Sequence, residues 1–176
     1  MIEITFPDGA SRSYEINSTP FDIANSISEG LSRNVISASF NGNTIETTTQ
    51  LKENGKLIFY TWNEQEGKKA FWHSSAHVLA QVLEELYSGI KLTIGPAISN
   101  GFYYDVDFGN HTMSEKDFPK IEKRMIEISR EKHLFKLKSI SKKEALDFYK
   151  NHKNEYKIEL IENLEDGTIS FCNHDN

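Results

Sequence analysis

The sequence has 176 residues, of which 38% are apolar and 26% charged, with 11 Phe, 7 Tyr and 2 Trp. That is enough to bury the core of one generous domain or two small ones, which excludes global disorder. A net charge of −6 argues against binding a nucleic-acid duplex by bulk charge, and the single cysteine, Cys172, excludes an intrachain disulfide and makes a reducing compartment the default. No run approaches the ~20 apolar residues of a membrane span, and the opening MIEITFPDGA lacks the basic n-region of a secretory signal. The expectation is a soluble, cytoplasmic chain.

In chain order, Ile2, Ile4 and Phe6 alternate toward one face, Pro7-Asp8-Gly9 is a turn, and Ser13 to Ile16 resumes a strand, so the opening reads as a β-hairpin. Thr19 is a candidate N-cap, with Pro20 at the first helical position and Asp22 in the first turn. Ile23, Ala24, Ile27 and Leu31 recur at helical spacing, with Gly30 marking the helix end. Val35 to Phe40 is β-rich, Asn41-Gly42 is a tight-turn pair, and Lys56 to Thr61 is a further strand. Strands, a helix and more strands within residues 1–62 suggest a ubiquitin-like β-grasp domain. Asn63 to Lys69 (NEQEGKK) is a polar joint.

From Ala70 to Tyr87, Trp72, Ala76, Leu79, Leu83 and Leu86 follow helical periodicity, predicting an amphipathic helix. A Gly/Pro-punctuated loop, Ile94 to Gly101, precedes a strand from Phe102 to Asp107. Ser114 with Asp117 resembles a capping box before a second helix that runs to about His133, with Pro119 near its start. Phe135 to Ile140 reads as a strand, and Ser141-Lys142-Lys143-Glu144 is a cleaner capping box opening a helix through Tyr149. Tyr156 to Ile161 and Thr168 to Phe171 read as closing strands, separated by an Asp166-Gly167 turn. Residues 70–176 are thus expected to form a second, α+β domain.

The sharpest local feature is His73-Ser74-Ser75-Ala76-His77. Histidines four apart on a helix stand over one another, beside the apolar stripe. Such a pair can share a metal ion, supply a base near neutral pH, or pack at the core edge. Ser74 occupies the position where a zincin protease needs a glutamate, and two ligands do not complete a tetrahedral zinc site. The second feature is Gly95-Pro96-Ala97-Ile98-Ser99-Asn100-Gly101-Phe102-Tyr103-Tyr104-Asp105. Its glycines allow another backbone or a ligand to come close, and its adjacent tyrosines project to opposite faces, so that one lines a cavity while the other packs.

In this order and at this separation, the two stretches resemble the N-terminal region of the bacterial threonyl-tRNA synthetase family. Essentially all 176 residues share the resemblance: 1–62 is similar to the family's TGS domain and 70–176 to its editing domain. The helix His-x-x-x-His is met by His73 and His77, the glycine–aromatic block by Gly95 to Asp107, and a site lysine by Lys157 in a Tyr156-Lys157 pair that opens a strand. One departure stands out. The family completes its site with Asp-x-Cys-x-x-x-His, whereas Cys172 and His174 are spaced Cys-x-His. The expectation is therefore a fragment ending short of that segment, its editing domain truncated at the C-terminal end, without the synthetic core or anticodon-binding domain.

The resemblance implies post-transfer editing, the hydrolysis of mischarged seryl-tRNA(Thr). Serine and threonine differ by one methyl, worth only ~1–3 kcal/mol in a pocket, so a second site must remove errors. It implies His73, His77 and Lys157 as catalytic residues and Gly95, Asn100 and Tyr104 as substrate-binding ones, with no metal and no cofactor required by this part. ATP, magnesium and zinc are expected only in the absent synthetic core. Implied partners are the acceptor end of tRNA(Thr) bearing serine and the rest of the synthetase, a homodimer when complete, with no membrane. Two other readings are a TGS-bearing regulatory or RNA-binding module, in which His73, His77, Tyr104 and Lys157 would lie scattered, and a small metalloprotein built on His73, His77, Cys172 and His174. Lys136, Lys138, Lys142 and Lys143 form a basic cluster that suits either phosphate or solvent.

Overall fold

The computed structural model describes residues 1–165 and 167–174, with 136, 137, 168, 173 and 174 as backbone only. Its contacts divide the chain into two compact units, Met1–Trp72 and His73–Asn176.

In the first unit the strands β1 (Ile2–Thr5), β2 (Ser11–Tyr14), β3 (Ser37–Phe40), β4 (Asn43–Ile45) and β5 (Gly55–Tyr60) form a sheet in the order β2-β1-β5-β3-β4. β1 and β5 run parallel and the other neighbours antiparallel, the mixed pattern of a β-grasp. Alternation in β1 sends Ile2 and Ile4 inward, where they bury with Phe6, Ile23, Ala38, Leu51 and Leu57. Asn41 and Gly42 both adopt positive φ, 51° and 85°, the tight hairpin turn expected of the pair. The helix expected from Thr19 to Leu31 is two helices. α1 (Pro20–Ile27) opens with the Thr19/Asp22 capping box, but Ser28 is extended and caps a new helix, α2 (Glu29–Asn34), through its hydroxyl and the Leu31 N–H. Gly30 therefore lies inside α2 rather than ending α1.

α3 (Gln65–Leu86) begins within the stretch expected to be a polar joint, because the Glu64 carboxylate accepts from the Thr61 N–H and hydroxyl and fixes the turn before it. Its Trp72 packs edge-on against Trp62 at 5.5 Å and Phe71 at 5.2 Å, within the first unit. Gly67 is required here: a Cβ on it would run into the Thr61 carbonyl.

In the second unit, Ala80, Val82, Leu83 and Tyr87 of α3 bury with Leu92, Ile121 and Ile128. The expected Phe102–Asp107 strand is broken into short pieces, since Gly101 is left-handed at φ 147° and β6 (Lys91–Leu92) pairs β9 (Val106–Asp107) while β7 (Ala97–Ile98) pairs β8 (Gly101–Phe102). α4 (Phe118–Glu131) follows an N-cap, Asp117, that does not cap through its own side chain. That carboxylate instead accepts from the Ser114 N–H and hydroxyl, both at 2.9 Å, which builds the preceding turn. β10 (Phe135–Ser141) and β11 (Thr168–His174) pair antiparallel, and α5 (Lys142–Asn151) has the expected Ser141/Glu144 capping box. The expected Asp166-Gly167 turn includes Asp166, outside the described residues.

The largest correction concerns Tyr156 to Ile161, which is helix α6 (Glu155–Glu162) and not a strand. Tyr156, Ile158 and Leu160 alternate as in a strand, but Asn154 caps the segment, its side chain accepting the Lys157 N–H at 3.1 Å, and the cap overrides the alternation.

Gly30 and Gly67 should respond oppositely to alanine. At Gly30 a Cβ meets only the Ser28 hydroxyl oxygen at 3.9 Å, so Gly30→Ala should stabilise by about 0.5–1 kcal/mol through helix propensity. Gly67→Ala should destabilise by roughly 1–3 kcal/mol through overpacking against backbone. Urea unfolding of the two variants measures both.

Candidate active site

The first group is set by α3. Its four-residue spacing brings the Nε2 atoms of His73 and His77 to 3.1 Å, with the rings edge to face and their centroids 4.6 Å apart. One ring donates its N–H and the other accepts through a lone pair, so at least one imidazole of the pair is neutral. His73 is exposed, His77 half-buried, and Ala76 is buried between them. Phe135, at the start of β10, leans on the His77 ring at 5.8 Å.

A second group gathers farther along the same face. Glu84 follows His77 by seven residues, two turns and about 10 Å of helix, and so points to the same side. Within electrostatic reach of its carboxylate stand Lys157 from α6, His152 at the end of α5, Tyr149 from α5, and Tyr104 between β8 and β9.

A glycine places Tyr104. A Cβ on Gly95 would overlap the Tyr104 ring, so the ring packs directly on the Gly95 backbone. Burial pushes its hydroxyl up to about 12, with the Glu84 and Tyr149 charges adding to the effect; near neutral pH it is a hydrogen-bonding phenol. Its neighbour Tyr103 is 48% exposed, the opposite-face arrangement read from the sequence.

The cap of α6 places Lys157. Besides capping the helix, Asn154 donates through Nδ2 to the Leu92 carbonyl at 3.0 Å, tying the helix start to β6. Lys157 is half-buried in the first helical turn. Burial pushes its ammonium below the usual lysine range, opposed by the Glu84 carboxylate. Burial likewise raises Glu84, opposed by Lys157 and His152. Glu84 is exposed as a residue.

Tyr104 and Lys157 thus both come within electrostatic reach of Glu84, which the helix period sets on the side of α3 that carries His73 and His77. Asn100 is exposed at the tip of the β7–β8 hairpin. Of the basic cluster read as suiting either phosphate or solvent, Lys142 donates its ammonium to the Glu162 and Leu164 carbonyls at 3.1 and 2.6 Å, at the end of α6. Cys172 lies in β11, the His174 side chain lies outside what is described, and no group of three or more metal-ligating side chains gathers among the described residues. Sequence reasoning missed Glu84, Tyr149 and His152; the seven-residue spacing from His77 to Glu84 was the available signal.

Residues 2–61 match the TGS domain family model. Along 99% of its length the chain is 63% identical to a threonine–tRNA ligase of Flavobacterium psychrophilum, covering 26% of that protein. It is 48% identical over 97% of its length to the threonine–tRNA ligase of Cytophaga hutchinsonii and 47% identical over 97% to that of Bacteroides thetaiotaomicron, again covering 26% of each. This is a TGS-domain chain homologous to the N-terminal region of threonine–tRNA ligases. It spans about a quarter of the length of the curated relatives it matches. The mixed α+β architecture with a ubiquitin-like first unit is the one expected of it. No helix among the described residues is long and apolar enough to cross a membrane.

The burial of Lys157 predicts a measurable stability effect. Between its depressed native value and the 10.5 of the unfolded lysine, the unfolded chain binds more protons, so stability rises with pH across that window and the cost is fully present below it. Lys157→Met should therefore stabilise the chain at pH 7 and remove the rise of stability with pH that precedes 10.5, both read from urea midpoints.

Proposed function

We propose that the second unit of this threonine–tRNA ligase homologue is an editing module that hydrolyses the ester joining serine to the terminal ribose of tRNA(Thr). The observation that supports it is the paired imidazoles of His73 and His77 on α3, with Glu84 on the same side of the helix within electrostatic reach of Lys157 and Tyr104. In the proposed step a neutral imidazole, His73, takes a proton from water as the oxygen attacks the ester carbonyl carbon. The C–O bond to the ribose breaks and the ribose oxygen receives a proton from the imidazolium. Lys157 stabilises the oxyanion and the departing ribose oxygen, His77 holds His73 through their hydrogen bond, and Tyr104 with the Gly95 backbone forms a wall of the nucleoside pocket. The proposed step draws on this chain's own side chains. The work belongs in the cytoplasm, with tRNA(Thr) and the remainder of a synthetase, a homodimer when complete, as partners.

The test uses adenosine carrying serine or threonine on its 3′ position through a non-hydrolysable amide. The seryl compound should bind the chain and shift the His73, His77 and Tyr104 resonances, and the threonyl compound should bind roughly 10-fold or more weakly, the worth of one excluded methyl. Equal binding of the two, or binding of neither, overturns the proposal. In single-turnover release of serine from seryl-tRNA(Thr), His73→Ala should slow the rate by ~10²–10⁴-fold, the usual weight of a general base; an unchanged rate removes His73 from the chemistry.

A further inference from the structure

Of the Tyr156-Lys157 pair, the step above uses only the lysine. The tyrosine belongs to a set of three consecutive side chains that tie the first turn of α6 to the β6–β9 ladder. Asn154 donates to the Leu92 carbonyl at 3.0 Å, the Glu155 carboxylate pairs with the Lys91 ammonium at 2.5 Å, and the Tyr156 hydroxyl donates to the Asp107 carboxylate at 3.0 Å. Lys91 and Asp107 are themselves opposite one another in the ladder, as are Leu92 and Val106. These ties matter because α6 has eight residues, short of the ~12–15 at which a helix persists alone in water. Its buried residue, Ile161, lies in the last turn. No buried apolar side chain therefore anchors the turn that carries Lys157, and its polar contacts decide where it sits.

The three contacts are unequal. Glu155 is 60% exposed, and an ion pair open to water and salt holds little. Asn154 fixes where the helix begins, since its Oδ1 accepts the Lys157 N–H. The Tyr156 hydroxyl bond is part-buried, and its acceptor is itself fixed, because the other Asp107 oxygen accepts the Gly109 N–H at 2.8 Å. These bonds, Gly109 first and Tyr156 second, hold the Asp107 carboxyl below its usual range, so near neutral pH it is ionised and accepts strongly. The same bond links two stretches of the candidate site: Asp107 follows Tyr104 by three residues, and Tyr156 adjoins Lys157. We propose that Tyr156 and Asp107 are positioning residues: their hydrogen bond sets the first turn of α6 against the strand after Tyr104 and so fixes where Lys157 stands toward the ester. The inference rests on the editing reading above and adds to it two residues that act through Lys157.

The experiment removes one oxygen. Tyr156→Phe keeps the ring and its packing, Asp107→Ala deletes the acceptor, and Asp107→Asn keeps a polar partner for both the phenol and the Gly109 N–H. In the whole chain carrying ¹³C-labelled lysine, the Lys157 amine should titrate closer to the ordinary 10.5 in Tyr156→Phe and Asp107→Ala, because a loosened turn lets water reach it. In Asp107→Asn it should stay at the wild-type midpoint. Single-turnover release of serine from seryl-tRNA(Thr) should slow by roughly 10- to 100-fold in Tyr156→Phe, the weight of a reacting group displaced by about an ångström. Affinity for the seryl-amide adenosine should stay within about twofold, since an oxyanion contact is made only in the transition state. The double variant Tyr156→Phe/Asp107→Ala should be no slower than the slower single one, as two ends of one bond require. An unmoved Lys157 midpoint, or a moved midpoint with an unchanged release rate, overturns the inference and leaves the editing reading intact if the wild type binds the analogue. Loss of rate and affinity together, without rescue by Asp107→Asn, assigns the pair to packing and overturns its role toward Lys157. A wild-type chain that neither binds the analogue nor releases serine overturns the editing reading, and the positioning role falls with it even where the midpoint moves.

Discussion

The rotational setting of α3 is the constraint on which the rest depends. Ala80, Val82 and Leu83 bury against Leu92, Ile121 and Ile128, and a helix whose apolar stripe is fixed in this way has no freedom left about its own axis. The opposite consequence of the same 3.6-residue period is that His73, His77 and Glu84 must share a side. An imidazole pair, a carboxylate and everything the carboxylate faces thus inherit their direction from packing that takes no part in chemistry.

Elements far apart in sequence meet that helix through small, specific devices. The missing side chain of Gly95 admits the Tyr104 ring. The Asn154 amide spans 62 residues to the Leu92 carbonyl and sets where α6 begins, and Lys142 ties the other end of α6 through two carbonyls. These contacts position a lysine whose charge the surroundings disfavour. A lysine whose charge burial disfavours and a phenol that keeps its proton near neutral pH are the kind of perturbed groups that mark a candidate site.

Much of the architecture was legible from local signals. The Thr19 and Ser141 capping boxes and the Asn41-Gly42 turn involve residues within a few positions of one another and formed as read; the hairpin around Pro7-Asp8-Gly9 and the α3 helix also formed, with β2 at Ser11–Tyr14 rather than Ser13 to Ile16 and α3 starting at Gln65 rather than Ala70. The errors share a cause. Ser28 restarts a helix where a smooth apolar period suggested continuation, Gly101 and its short ladders break a run of aromatics that looked like one strand, and the Asn154 cap converts an alternating segment into a helix. In every case one polar or glycine residue outweighed the pattern of its apolar neighbours. The candidate site was legible in the histidine pair, Gly95, Tyr104 and Lys157, while Glu84 went unnoticed because a glutamate on a helix surface has no local signature of function.

What the sequence determined by itself was the inventory: two α+β units, their caps and turns, and the identity of the side chains able to hold or move a proton. Only the tertiary structure decided that Lys157 sits on a helix, that Tyr104 rests on Gly95, and that Lys157 comes within electrostatic reach of Glu84, two turns beyond His77. Capping and periodicity act over a few residues and are written in local order. Electrostatic partnership depends on distance through space, which is fixed only when separate elements pack against the same face.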